Sequence, residues 1–339
     1  MKKIINTIIV ALLVLVVVPG CKKSEFEGTD NLIASFSLTQ GATVMNASIK
    51  PDSILITAPG SISLIGAELS FKLSEKAKIS PDPSAITDWE LPHTFTVSAA
   101  NGSKVVYHYR LKRNIISRDG DITLKTQEDV DRFAELKIDR INGSLVIGST
   151  SGTDTIRTLD KLQGLTSIAY DLIINPTYKA KDLNGLKNLN SVGTLSIAGN
   201  PHLKTLILPK LELILADLLI AQTEVKSISF PQLKRVDQSF QVLNCDSVET
   251  LELPKLQNVL LNLTLQGSFA SNNQQTAASF PALQNVGGIV TFLRYDQLAT
   301  IEFPLLTKTS GIAMNTLPML TSLKMPQLKK VNGDVNLGG

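Results

Sequence analysis

A phrase that returns at a near-constant interval runs through the last two thirds of the chain. Apolar-x-apolar pairs stand at Leu145/Ile147, Leu172/Ile174, Leu195/Ile197, Leu218/Ile220, Phe240/Val242, Leu263/Leu265, Val290/Phe292, Ile312/Met314 and Val335/Leu337. They follow one another at 27, 23, 23, 22, 23, 27, 22 and 23 residues. One coil of that length cannot bury its own apolar residues, whereas a stack of coils forms one continuous core. The period therefore predicts a solenoid of about nine short coils, an architecture that offers a long regular surface and usually works by binding.

A second phrase, apolar-x-x-apolar-x-apolar-Pro-x-Leu, rides on the first. It reads LKTLILPKL at 203–211 and VETLELPKL at 248–256. Each coil thus carries two short period-two segments, read as two strands. Prolines recur at 209, 231, 254, 281, 304 and 326. Proline has no N–H to give to a ladder, so this row belongs at a corner just past the second strand. Five residues beyond the start of the first eight pairs stand Thr150, Thr177, Asn200, Thr223, Cys245, Ser268, Tyr295 and Leu317. Most are small and polar, suited to bonding backbone groups in a turn after the strand.

Three segments carry a family resemblance: TQEDVDRF at 126–133, INGSLVIG at 141–148 and FPQLKRV at 230–236. They resemble the receptor L-domain family, the leucine-rich right-handed β-solenoid of receptor ectodomains, and are similar to fungal cell-wall proteins. The resemblance covers about residues 126–337 and implies extracellular binding without catalysis. The disulfide-rich modules that accompany receptor L-domains are not in this chain, so no hormone-receptor role carries over.

Thr126 is a good N-cap, with Glu128 and Asp129 in the first turn near the positive end of the helix dipole. Val130, Phe133, Ala134 and Leu136 make an apolar stripe, so a capping helix is expected at the start of the 126–339 solenoid. Beyond the ninth pair no second strand follows. Leu323, Met325 and Leu328 are expected to lose half their cover there, with end-to-end self-association as a consequence.

At the other end, Lys2 and Lys3 precede an apolar run from 4 to 18. The run is short for a membrane span and reads as a secretory signal over 1–20. Val18-Pro19-Gly20-Cys21 resembles a bacterial lipobox, which implies lipidation of Cys21 and membrane attachment through that lipid. Residues 21–30 form a polar tether. Without Lys2 and Lys3 the formal charge falls from +3 to +1, so no nucleic-acid partner is indicated. Cys245 is the second of two cysteines, so no disulfide framework is expected.

Between 31 and 114 the texture changes to short alternating runs at 34–38, 53–57, 69–73, 94–97 and 105–111. Pro59-Gly60, Pro81-Asp82-Pro83 and Asn101-Gly102 separate them, which predicts a small antiparallel β-sandwich. The run 95–103 with Tyr107 resembles the Ig-like or cadherin-like domains that open many Bacteroidetes surface lipoproteins, and implies a spacer. The fold expected for the whole chain is mainly all-β: a small antiparallel sandwich, a capping helix and a leucine-rich solenoid.

No catalytic constellation is legible. His93, His108 and His202 are scattered, with no metal-ligand spacing, and no metal or cofactor is expected. Asp160 and Asp171 fall in repeat turns, where solvation or capping is their expected role. The first sheet's outward positions, such as Ser144/Val146, Thr194/Ser196 and Asn262/Thr264, are small and neutral. The coil from 259 to 285 has about four extra residues, and insertions in solenoids collect on one face. Phe269, Asn272, Asn273 and Gln274 in it, flanked by Arg294 and Tyr295, are the candidate ligand contacts. Ser53, Thr155 and Ser247 resemble Asp-Ser/Thr-aliphatic O-glycosylation acceptors of Bacteroidetes secreted proteins. These readings converge on a non-catalytic, surface-exposed outer-membrane lipoprotein of the cell envelope whose solenoid binds a protein or glycan in adhesion or recognition. The alternatives are a glycan-capture accessory of a nutrient-uptake system and a structural envelope protein.

Overall fold

A computed structural model describes residues 28–153, 155–269 and 273–338. The lipobox and Cys21 lie outside the described residues. The chain divides into two compact units, one from residues up to 56 with 64–111, the other from 57–63 with 112–339.

The first unit is antiparallel. Ile33–Gln40 lies between Thr43–Asn46 and Glu68–Leu73 in a three-stranded sheet. A five-stranded sheet runs in the order Ser48–Lys50, Ser53–Pro59, Lys104–Asn114, His93–Ser98, Lys78–Ser80. Alternation puts Phe36 of the first sheet against Phe95 and Tyr109 of the second. Trp89 closes the cluster, edge-on to Phe36 at 5.5 Å and to Tyr109 at 5.1 Å. The Tyr109 hydroxyl donates to the Trp89 carbonyl at 2.8 Å, which satisfies a buried polar group that would otherwise cost the core.

The second unit is a β-solenoid with one α-helix. All nine apolar pairs fall on strands of one ten-stranded sheet, the long sheet, joined in parallel register from Leu145↔Leu172 to Ile312↔Val335. The tenth strand, Ile122–Leu124, pairs with Leu145–Ile147 ahead of the first repeat. Inward residues of the strands from Leu145 to Met314 are buried, so each of these coils' Leu, Ile, Val, Phe or Met stacks on its equivalent about 4.8 Å away.

Six coils, those that begin at Leu195, Leu218, Phe240, Leu263, Ile289 and Gly311, carry three strands where two were expected, whereas the coils at Leu145 and Leu172 carry two strands and a short 3-10 turn. The segments before the prolines form two three-stranded sheets, Thr205–Ile207 with Ser227–Ser229 and Thr250–Glu252, then Ala277–Ser279 with Thr300–Glu302 and Ser322–Lys324. The break between them coincides with the long coil. The prolines stand two residues past these strands, at the expected corner. Just beyond comes a further strand, mostly of two residues, such as Leu213–Ile214 or Arg235–Val236. These build a second ten-stranded parallel sheet.

The helix spans Gln127–Glu135. The Thr126 hydroxyl accepts the Asp129 N–H at 3.1 Å, and the Asp129 carboxylate accepts the Thr126 N–H at 3.0 Å, a complete capping box. Burial opposes the Asp129 charge, but hydrogen bonds from Thr126, Lys125 and Arg132 outweigh it and hold this carboxyl below its ordinary value. Val130 and Phe133 are buried in the solenoid core and Ala134 is half-buried. Leu136 corrects the expected stripe: it is the C-cap and points to solvent, since the helix ends before a further turn can bring it round. In the last coil Leu323, Met325 and Leu328 are half-buried, while Val335 and Leu337 are exposed.

Candidate functional site

The outward face of the long sheet is set by alternation. Strand register aligns Thr123, Val146, Ile173, Ser196, Leu219, Gln241, Thr264, Thr291, Ala313 and Asn336 in one row across all ten strands. None is ionisable. The adjoining row Ala198, Ala221, Leu243, Gln266, Leu293 and Asn315 is likewise uncharged. Both rows are largely half-buried by their neighbours, which makes a flat and weakly apolar surface.

Carboxylates at the margin of this face are engaged by backbone. Asp121 accepts the Ser144 N–H at 2.7 Å and Asp217 accepts that of Ser239 at 2.8 Å; Asn262 does the same for Ile289 at 2.9 Å. Each ties one coil to the next. Charged side chains gather elsewhere on the solenoid. Lys226–Glu249 at 2.9 Å and Lys324–Glu302 at 2.8 Å pair between neighbouring coils on and beside the short sheets.

The long coil places its extra residues where the long-sheet strands end. Asp246 organises them. Its Oδ1 accepts the Ser268 N–H at 3.0 Å and the Asn273 side-chain N–H at 2.7 Å, its Oδ2 accepts the Ser268 hydroxyl, and its carbonyl accepts the Gln274 N–H at 3.2 Å. Phe269 stands 91 % exposed. The Arg294 guanidinium lies over its ring at 3.9 Å, a cation–π contact. Arg294 is half-buried, donates through Nε to the Gly267 carbonyl at 3.1 Å, and adopts a left-handed φ of 58°.

The six candidate ligand contacts therefore separate. Phe269, Gln274 and Arg294 reach the surface. Asn273 does not: it is 1 % exposed and spent on Asp246. Tyr295 does not either. It is 1 % exposed within the core, where burial raises its hydroxyl far above the usual tyrosine value. Its place in the inward turn series Thr177, Asn200, Thr223, Cys245 was the signal that could have placed it. Asn272 lies outside the described residues.

That turn series bonds as a ladder. Thr177 Oγ1 accepts the Ser149 N–H at 2.7 Å, Asn200 Nδ2 donates to the Asn175 carbonyl at 2.7 Å, and Thr223 Oγ1 sits 3.3 Å from Cys245 Sγ. Burial pushes the Cys245 thiol above its ordinary value, against the hydrogen bonds from Thr223. This thiol is a packed structural group. Of the acceptor serines and threonine, Ser53 and Thr155 are half-buried and Ser247 donates to Glu224 at 2.9 Å. His93 lies 2.8 Å from the Asp88 carbonyl within the first unit's aromatic cluster, whereas His108 and His202 are exposed. Among the described residues no three His, Cys, Asp or Glu side chains are grouped to hold a metal.

No family model matches the chain. It is similar to the protein named ecm33 of Aspergillus fumigatus, with 28 % identity over 255 residues, 66 % of this chain and 63 % of that protein. It is also similar to a cell surface GPI-anchored protein of Arthroderma benhamiae, with 29 % identity over 174 residues, 46 % of this chain and 44 % of that one. The chain spans less than two thirds of the length of either relative. The expected likeness to fungal cell-wall proteins has a coarser counterpart in these two fungal matches, one of them named a cell surface protein.

Proposed function

We propose that this chain is a non-catalytic cell-surface protein whose solenoid binds a partner in adhesion or recognition. The observation that carries the reading is the outward row of the long sheet, uncharged from Thr123 to Asn336 across ten strands. A broad flat face of small polar and aliphatic side chains loses little on desolvation, which suits a protein partner. Phe269, backed by Arg294, supplies an exposed anchor of the kind that dominates interface energetics. The printed name of the Arthroderma relative supports a surface location. Cys21 is the proposed lipid anchor, the envelope surface the proposed location, and the first unit the proposed Ig-like spacer.

A glycan-capture role would be favoured by a cluster of aromatic platforms. The exposed aromatic side chains of the solenoid, among the described residues, are Tyr170 and Phe269, four coils apart, which favours a protein ligand. The test is capture by soluble residues 25–339 from surface extracts, run beside a glycan array. The expected result is a saturable protein partner, with binding weakened about tenfold or more by Phe269→Ala with Arg294→Ala. Hydrolysis of any polysaccharide or peptide by the pure chain, abolished by a point change at one acidic residue or histidine, would overturn the non-catalytic reading.

A further inference from the structure

The five-stranded sheet of the first unit has a charge pattern that the expected spacer role does not use. No Asp or Glu occurs in any of its five strands. On the Lys104–Asn114 strand, alternation turns Tyr107 and Tyr109 into the core and leaves Lys104, Val106, His108 and Arg110 exposed on the other side. Register extends this face sideways. Lys104 pairs with Ser98, which pairs with Lys78; Val106 pairs with Thr96; His108 pairs with Thr94, whose hydroxyl lies 3.3 Å from His108 Nδ1. On the opposite flank Lys50 pairs with Ser53. Lys50, Asp52, Ser53, Ile54, Leu55, His108 and Arg110 line a shallow depression of about 270 Å³, in which Asp52 is the one carboxylate among three basic side chains. The Asp52 carbonyl accepts the His108 N–H at 2.8 Å, which fixes the hairpin turn against this strand. Among the described residues no ion pair engages Lys50, Lys78, Lys104 or Arg110.

We propose that this face is a second binding surface, separate from the solenoid, and that its partner is a linear acidic polysaccharide. Two cations, Lys104 and Arg110, stand on one central strand about 20 Å apart at about 3.4 Å per residue, with Val106 and His108 between them and Lys50 and Lys78 on the flanking strands. A linear polyanion laid along the strand meets them in turn. Hydroxyls flank this strand on both sides, Thr94, Thr96 and Ser98 on one and Ser53 on the other, and can bond the hydroxyls of a sugar chain. A membrane-docking face would carry aromatic or large apolar side chains to enter the headgroup boundary. Here only Leu55 and Val106 are apolar, so the polysaccharide is favoured over an anionic bilayer. Unpaired surface cations on a rigid sheet attract a polyanion without first breaking an ion pair, and salt screens that attraction.

The test uses the full chain with polygalacturonate and heparin as probes, neutral dextran as the blank, and vesicles of phosphatidylglycerol and phosphatidylcholine in equal parts. The first variant carries Lys104→Gln, His108→Gln and Arg110→Gln, all solvent-facing, with its melting profile compared to the parent. A control replaces two lysines elsewhere, Lys187→Gln and Lys329→Gln, to match the two charges lost with Lys104 and Arg110. The expected result is salt-sensitive binding of the acidic polymers, weakened about tenfold or more in the first variant and within about twofold of the parent in the control. Absent polymer binding at low salt would overturn the proposal. Equal loss in the control would make the attraction non-specific and overturn it too. Vesicle binding without polymer binding would assign the face to a membrane instead. None of these outcomes depends on the solenoid's ligand.

Discussion

Gln222, Asn244, Arg294 and Thr316 occupy the same coil position as Gly199, one residue past the long-sheet strand. All adopt left-handed backbone, with φ between 51° and 58° for the four and 68° for the glycine. Thr316 is β-branched and fits this region worst, at a cost on the order of 1 kcal/mol or more. Thr316→Gly should therefore raise the urea midpoint by about 0.5–1 kcal/mol of stability, and a lowered midpoint would contradict the strain argument. Gly185 shows the opposite constraint. A Cβ there would lie 1.7 Å from the Leu159 carbonyl oxygen, so Gly185→Ala should cost about 3 kcal/mol by the same assay. Cys245 and Tyr295 give a pH dependence. Burial raises both above their ordinary values of 9.0 and 10.0, so the native state holds these protons when the unfolded chain has begun to release them. Their contribution is complete below about pH 9 and is lost as pH rises toward the folded values. Stability should fall as pH rises above about 9, and Cys245→Ala should flatten the first part of that fall. A fall of equal slope in the variant would contradict the assignment.

At the scale of elements, the helix at the start of the solenoid depends on its capping box. Thr126→Ala should cost about 1 kcal/mol, read as a lowered urea midpoint. The long coil depends on the Asp246 carboxylate, and Asp246→Ala should speed hydrogen exchange at the Ser268 amide that it holds, more than at the Gln274 amide, whose backbone-carbonyl partner remains. These elements also mark how far the sequence could be read. The long-sheet strands were legible because each is an apolar-x-apolar pair facing one side, repeated at an interval too regular for a globular core. Ile122–Leu124 was missed because it stands before the first full repeat, and the helix after it already looked like the start. The short strands such as Leu213–Ile214 were missed because two residues hold no period. Tyr295 was misplaced by its nearness in sequence to the insertion; the coil register, in which it replaces Cys245, assigns it inward. The cationic face of the first unit was present in the alternation of 104–110 and becomes visible once the two tyrosines define the buried side.

For the molecule as a whole, two units divide the chemistry. The solenoid carries ion pairs on its helix, corners and other sheets and leaves two rows of the long sheet without charge, with Asp121 and Asp217 at the margin. The first unit gathers cations on one sheet. Sugar added at an acceptor side chain would add mass to the chain. An intact mass of protein from its native source above lipid plus polypeptide, removed by mild base, would identify O-linked sugar at Ser53, Thr155 or Ser247; a mass equal to that sum would exclude it. The central claim is that the uncharged face of the long sheet is the binding surface. It is tested most directly by placing charge on it with Leu219→Glu, Gln241→Glu and Thr264→Glu, three adjoining outward positions in register. The triple variant should melt within a few degrees of the parent and lose the protein partner captured from surface extracts. Undiminished capture by a folded triple variant would contradict the claim.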